Sequence, residues 1–484
     1  MEKVRTSIST KAKQPQSNLS GEPSCNIYKV SINYARLTKL LDHIKLFKRK
    51  MAQTLLKNKS GQPRQNSNIV DSVDDDATPA QEEPYVEEVN EEFQKEFELI
   101  IEEMNSYLSP ITSLISSALR SSPNVSSSDK LHVQSPANGV DSILLLPDMA
   151  LHSLPLEAWS LLRTESNIKG MARDFSLQFA FYRLQKDSNE DVQTDDKKTD
   201  PKNVKGSARK QSKSTNVKES KRPVVKSSPL DREIPPGHLS ADVHSLSYIV
   251  DPLDEAVGDF SPTTVFQKLL EEPDYQNKYS VRWIGYMGQQ HQPTIGEWHE
   301  TMRDCSILMY YGLENLLTIV DIDHLLPLNL SDCTLFLGLD RAQTHASYSR
   351  TSRIKVFKDV SHLSVEEPVK LAFILSLTGI GSIYLNQWNC SLYENSKKLS
   401  SLFKCLIERG LTTGQTVKEL AYPNSILWVP PTSATVKDKK GSSRRTSVIP
   451  QQSGDERPKP DIPTKTDLPN FNMALFGLPS IIIS

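Results

Sequence analysis

A chain of 484 residues with 37% hydrophobic and 24% charged residues, 30 prolines and a mean hydropathy of −0.45 is long enough for two or three domains. It is too polar throughout to be one uninterrupted body, so a globular core with long solvated segments is expected. The net charge of −2 gives no global pull toward nucleic acid or an anionic membrane, and no run reaches the ~18 apolar residues that would cross a bilayer.

Residues 1–25 are polar and read as a tail. Residues 26–120 are expected to be helical, with Tyr34, Leu37, Leu40, Leu41, Ile44 and Phe47 on one face of a first helix. Phe93, Phe97, Ile100, Ile101, Met104 and Leu108 form the same kind of face on a second helix over 88–119. A polar loop over 58–87 separates the two, and Pro110 interrupts or restarts the second. The character of the sequence changes at Asp141. Ile143–Leu146 reads as a strand stopped by Pro147-Asp148, a short helix opens at Leu154-Pro155, and 173–184 reads as another helix.

From 186 to 240 the chain is dense in Lys, Ser, Asp and Pro, which predicts a disordered insertion with a basic core over Lys202–Lys226. Order returns with a strand at Ser247–Val250, stopped by Asp251-Pro252, and a helix over 263–271. Strands at 305–311, 333–339, 371–376 and 382–385 then alternate with helices at 313–326 and 395–409. This alternation predicts an α/β domain over 141–422 whose largely parallel sheet is covered on both faces. Residues 430–484 are expected to be a disordered tail, although Phe471–Ser484 is apolar enough to dock.

The five cysteines (25, 305, 333, 390 and 405) form no Cys-x-x-Cys pair, so neither a zinc site nor a disulfide framework is expected. With no apolar segment behind Met1-Glu2-Lys3-Val4-Arg5, the expectation is a reduced, intracellular chain. Cys305 and Cys333 stand at the starts of their strands, away from the C-terminal ends where α/β folds place their chemistry, and read as core. Cys390 is better placed but has no histidine near it in sequence. His152, His291, His299, His324 and His345 have no metal-ligand spacing, and Gly379-Ile380-Gly381 lacks the rest of a nucleotide-binding fingerprint. No metal or cofactor is expected. Tyr310, Tyr311, Trp283, Tyr286, Trp298, Tyr384 and Trp388 supply aromatic anchors, with core packing as the alternative for many of them.

The sequence Leu144–Asp148, then Leu151-His152-Ser153-Leu154-Pro155-Leu156-Glu157-Ala158, then two later strand ends, resembles the CHAT domain, a caspase- and separase-related peptidase module. That family carries Leu-Pro-Phe-Glu-Ala, a strand ending in His-Gly and a strand ending in Ser-Ala-Cys. Here Tyr311-Gly312 stands at the His-Gly position and Gly338-Leu339-Asp340 at the Ser-Ala-Cys position. The resemblance therefore implies a degenerate peptidase without base or nucleophile, not an enzyme. Tyr310, Tyr311, Asp340 and Trp388 are the residues expected at a binding site in its place. The alternative is a divergent cysteine peptidase that has recruited Cys390 or Cys333.

Arg173-Asp174-Phe175-Ser176, Tyr248-Ile249-Val250-Asp251-Pro252, Cys305-Ser306 and Leu375–Gly381 with Leu385-Asn386-Gln387-Trp388 are similar to the C-terminal region of the cilia- and flagella-associated protein 46 family. The resemblance implies a structural part in the central apparatus of the ciliary axoneme and in cilium motility. It implies axonemal central-apparatus partners and microtubules, with no nucleic acid and no membrane, and a place in the cytoplasm, cytoskeleton and cilium. Members of that family are much longer than this chain.

Overall fold

In chain order, short apolar runs form β1 (Ile143–Leu145), β2 (Met171–Arg173), β3 (Leu239–Ala241), β4 (Leu246–Val250), β5 (Ile284–Met287), β6 (Ile307–Tyr311), β7 (Leu335–Leu339), β8 (Ser382–Asn386), β9 (Met473–Gly477) and β10 (Ile481–Ile483). The structure, a computed structural model, describes residues 33–57, 85–120, 142–165, 168–193, 232, 234–235, 238–288, 290–342, 367–425 and 467–484. Eight strands join in the order β1-β2-β9-β8-β7-β6-β4-β5, and β10 pairs with β3 in a separate ribbon. Every pairing in the large sheet is parallel except β8 with β9. The sheet is therefore largely parallel, as the sequence predicts, but its two parts run in opposite directions: β1, β2 and β9 one way, the other five strands the other.

Residues of β6, β7, β8 and β9 are buried at every position, which requires cover on both faces. One face carries Ile307, Met309, Tyr311 and Leu337 against Phe266, Leu399, Leu402 and Val417 of the helices Pro262–Glu271, Leu392–Phe403 and Thr413–Ala421. The other carries Leu308, Tyr310, Phe336 and Ile383 against Trp298, Met302, Leu371 and Leu375 of the helices Ile295–Arg303 and Pro368–Leu377. Side chains of successive residues on a strand point to opposite faces, so Tyr310 and Tyr311 enter different cores.

The helices α1 (Tyr34–Lys57) and α2 (Tyr85–Arg120) pack as a hairpin. Phe47 stacks on Phe97 with ring centroids 5.9 Å apart, and Lys50 pairs with Glu96 at 3.0 Å. α2 continues through Pro110 without a break. A third core joins this hairpin to the sheet edge through Trp159, Trp388 and Phe471, with Trp159 Nε1 donating to Thr112 Oγ1 at 3.0 Å.

Several expectations are corrected. Residues 371–376 are not a strand but the centre of the helix Pro368–Leu377, with Pro368 in its first turn. A short apolar run buried all round has no periodicity to separate the two. The helix expected over 313–326 is two single turns, Leu316–Ile319 and Ile322–Leu325. Residues 171–173 belong to β2, and the following helix, Leu177–Gln193, runs past the expected start of the insertion at 186. The insertion also ends before 240, because β3 begins at Leu239 and Arg232 is already fixed. Its guanidinium donates to Glu408 O at 2.9 Å and Ile483 O at 3.2 Å.

The largest correction concerns the expected tail over 430–484. Residues 468–471 form a single turn, and 473–477 form β9 in the middle of the sheet. Ala474 and Leu475 have no exposed surface, and burying such a run is what makes an apolar terminal segment pair. The tail over 1–25, most of the 58–87 loop and the basic core Lys202–Lys226 lie outside the described residues.

Candidate functional site

The C-terminal ends of β4, β6, β7 and β8 converge. Asp251 N donates to Tyr311 O at 2.8 Å, Gly312 N to Leu339 O at 3.1 Å, and Cys390 N to Arg341 O at 3.1 Å. The chain leaves β4 and β7 through positive-φ residues, Asp251 (φ 38°) and Arg341 (φ 60°), and such left-handed backbone is costly for residues with a Cβ. Asp251 is held there by its own loop, since Oδ2 accepts from Ala256 N at 3.0 Å.

Tyr311 has no exposed surface, and its hydroxyl makes no hydrogen bond among the described residues. Burial raises its pKa well above that of a free phenol, and Cys390 and Asp251 add to the shift. Asp340 is 1% exposed. Neither of its carboxylate oxygens accepts a hydrogen bond among the described residues, and the nearest cation is Arg341 Nε at 3.8 Å. Burial pushes its pKa up to about 6, with Arg341 and Lys398 opposing. Cys390, 2% exposed, has its thiol pushed up to about 12, again by burial and against the pull of Lys398. At neutral pH such a group is a thiol, and the thiolate is the nucleophile.

Sequence reasoning missed the polar network beneath these three residues. Asn386, the last residue of β8, donates from Nδ2 to Asp340 O at 2.7 Å and to Asn395 Oδ1 at 2.9 Å. Its Oδ1 accepts from Lys398 Nζ at 2.9 Å. Asn395 Nδ2 donates to Asp340 O at 3.2 Å. Asn395 and Lys398 are three apart on the helix Leu392–Phe403, hence on one face of it. That spacing, opposite a strand ending in Asn, is the signal that was there to find.

The structure brings Tyr311, Asp340 and Cys390 together but not the other two expected site residues. Tyr310 points through the opposite face, where its ring lies 6.2 Å from Trp298 and its hydroxyl donates to Glu314 O at 2.9 Å. Trp388 turns toward the helical hairpin, with its ring 5.6 Å from Phe97 and 6.4 Å from Phe47. The remaining aromatics are spread through the cores: Trp283 donates to Val243 O at 2.7 Å, and Tyr384 to Thr413 O at 2.6 Å. Cys305 and Cys333 are buried just ahead of their strands, consistent with packing.

Among the described residues no histidine hydrogen-bonds to Tyr311, Asp340 or Cys390. His152 is 1% exposed in a different place, its ring 5.0 Å from that of Phe175 and 5.8 Å from that of Phe476. Burial, and then Arg173, lower its pKa to about 3. Arg173 is itself buried beside it, bonded to both oxygens of Glu157, to His152 O at 2.8 Å and to Gln387 Oε1 at 3.2 Å. That arrangement fixes β2 to the end of β8.

No protein-family model matches the chain. Among solved structures it is similar to the crystal structure of the Saccharomyces cerevisiae separase–securin complex at 2.6 Å resolution, with a TM-score of 0.40 and 11% identity over 94% of this chain. The structure of the same complex at 3.0 Å resolution gives a TM-score of 0.39 and 12% identity over 93% of this chain. The chain spans 23% of the length of each of those chains.

Proposed function

We propose that this chain is a degenerate caspase- and separase-like domain that works by holding other proteins, without peptidase activity. The observation that carries the reading is that Tyr311, which ends β6 and pairs with Leu339, and Asp340, the residue just past β7, are both buried at the two strand ends where a base and a nucleophile would stand. Neither side chain is a histidine or a cysteine, the two are not hydrogen-bonded to each other, and acyl transfer needs a nucleophile activated by a base within hydrogen-bond reach. The place of action, by the sequence landmarks that resemble the ciliary protein family, is the axonemal central apparatus, with its proteins and microtubules as partners. No nucleic-acid or membrane partner belongs to this reading.

The competing reading is a divergent cysteine peptidase built on Cys390, which sits in the same place. Its thiol pKa of about 12 and its 2% exposure argue against it. A peptide carrying a thiol-reactive warhead separates the two. The expected result is no saturable labelling of the full chain. Specific modification of Cys390, abolished by Cys390→Ala, would overturn the proposal. The assignment to the axoneme is tested separately by imaging the tagged chain in ciliated cells, where a diffuse signal excluded from the axoneme would reject it.

A further inference from the structure

The helix Leu177–Gln193 carries one face that packs inward and a second apolar face that meets solvent. Ala180 is buried on the inner side. Beside it the ring of Phe179 lies 5.7 Å from that of Phe373, and Arg183 donates to Asp174 Oδ2 at 2.6 Å and to Ser376 Oγ at 2.5 Å. Leu177, Phe181 and Leu184 follow one another at spacings of four and three residues, hence along one stripe. They are 46%, 61% and 47% exposed. Gln178 and Gln185 lie beside the stripe by the same helical spacing. Tyr182, 57% exposed, and Leu377, 52% exposed, widen the patch, because Arg183 ties this helix to Ser376, the neighbour of Leu377. From Leu177 to Gln185 the one charged residue is Arg183, and it is buried.

The size of this patch and its symmetry point to what covers it. At roughly 200 Å² for an aromatic side chain and somewhat less for a leucine, these five side chains leave on the order of 500 Å² of apolar surface in solvent. That is near the upper end of what a single folded chain exposes. Two such patches face to face bury on the order of 1,000 Å², the lower bound for a specific interface. The stripe is also self-complementary. Leu177 stands four residues before Phe181 and Leu184 three after it, so a twofold axis beside Phe181 sets Leu177 of one copy against Leu184 of the other. The two Phe181 rings then meet at the axis, the arrangement of an isologous dimer. An aromatic centre without exposed charge is the composition of an interface core. We infer that two copies of this chain pair through the stripe Leu177, Phe181 and Leu184 as antiparallel helices, with Phe181 at the twofold axis. An interface of this size makes a weak dimer, with a dissociation constant on the order of micromolar. This inference does not depend on how Tyr311 and Asp340 are read.

The test follows the full chain and its Phe181→Glu and Phe181→Lys variants by analytical ultracentrifugation from about 1 to 200 μM. The parent is expected to pass from monomer to dimer over that range. Either variant alone is expected to weaken the dimer about a hundredfold, because it sets two like charges against each other at the axis. Mixing the two variants brings opposite charges together there, and dimers are expected to return. No partner other than a second copy produces that recovery. At low concentration the urea midpoint of each variant is expected to match that of the parent, since the ring it replaces is exposed. A parent that stays monomeric throughout is the outcome if residues 194–231 of the same chain, or an unrelated protein, cover the stripe. That result, a dimer unaffected by Phe181→Glu, or a variant mixture that stays monomeric would each overturn the inference.

Discussion

Lys398 and Asn386 meet end to end beneath the strand tips, with Nζ donating to Oδ1 at 2.9 Å and both residues buried. Asn386 is the junction of the site, since its other side bonds to Asp340 O and Asn395. Removing the amide while keeping the volume, Asn386→Leu, strands a buried cation and takes the Asn386 donor from Asn395 Oδ1, while Asp340 O keeps only its bond from Asn395 Nδ2. A loss of about 3 kcal/mol in urea unfolding is expected. Lys398→Met, which removes the charge but keeps an apolar stem, is expected to cost about 1 kcal/mol. Equal losses for the two would contradict the account.

Tyr311→Phe reverses the usual sign of a core substitution. The phenol oxygen is buried and without a hydrogen bond among the described residues, so deleting it removes a desolvated polar atom and no contact that holds the fold. The variant is expected to be as stable as the parent or more stable by up to about 1 kcal/mol. A clear destabilisation in calorimetry would show that the hydroxyl has a partner.

Asp340 and His152 give stability slopes of opposite sign. Asp340 has a folded pKa of about 6 against 3.8 for an ordinary aspartate, so the folded state binds the extra proton and stability falls as pH rises from about 4 to 6. Asp340→Asn is expected to remove that slope, worth on the order of 2–3 kcal/mol, and to be the more stable protein at pH 7.

His152 titrates the other way, with a folded value of about 3 against 6.5. The unfolded chain takes the proton first, and the stabilisation present above pH 6.5 is lost as pH falls toward 3. His152→Phe is expected to flatten that acid limb. Urea midpoints measured between pH 4 and 8 for the parent and both variants check each slope by difference.

Gly477 and Gly258 both have positive φ, +101° and +107°, but only the first is crowded. Gly258→Ala, with nothing within 4 Å of its new methyl, should cost about 1–2 kcal/mol of backbone strain alone. Gly477→Ala adds a collision with Gly381 O and is expected to prevent accumulation of folded protein. Comparable yields of the two variants would show that β9 is not held as described.

The central strands were legible in the sequence. Runs such as Ile307–Tyr311 and Leu335–Leu339 are apolar throughout because both faces are covered, and Tyr311 and Asp340 were marked by the resemblance of these strand ends to those of the CHAT family. The helix Pro368–Leu377 was not legible as a helix, for the same reason: apolar on every side, it has no stripe to betray its period. Trp388 was misplaced because sequence adjacency to a strand end does not fix direction, and the ring turned toward Phe97. β9 escaped because its partners, β2 and β8, lie far away in the chain and the polar stretch before it has the composition of a tail. The Asn386, Asn395 and Lys398 network needed two elements to be superposed before it had any meaning.

The place of β9 also sets a clock. Arg173 of β2 pairs with Phe476, so a strand made early has its neighbour delivered roughly 300 residues later, at ~5–20 residues per second of synthesis. For about 15–60 seconds on the ribosome the β1–β2 ribbon has no sheet to join, and its apolar edge stays open to whatever is nearby. The cell's chaperones, and any protein made alongside, meet this domain first in that unfinished form.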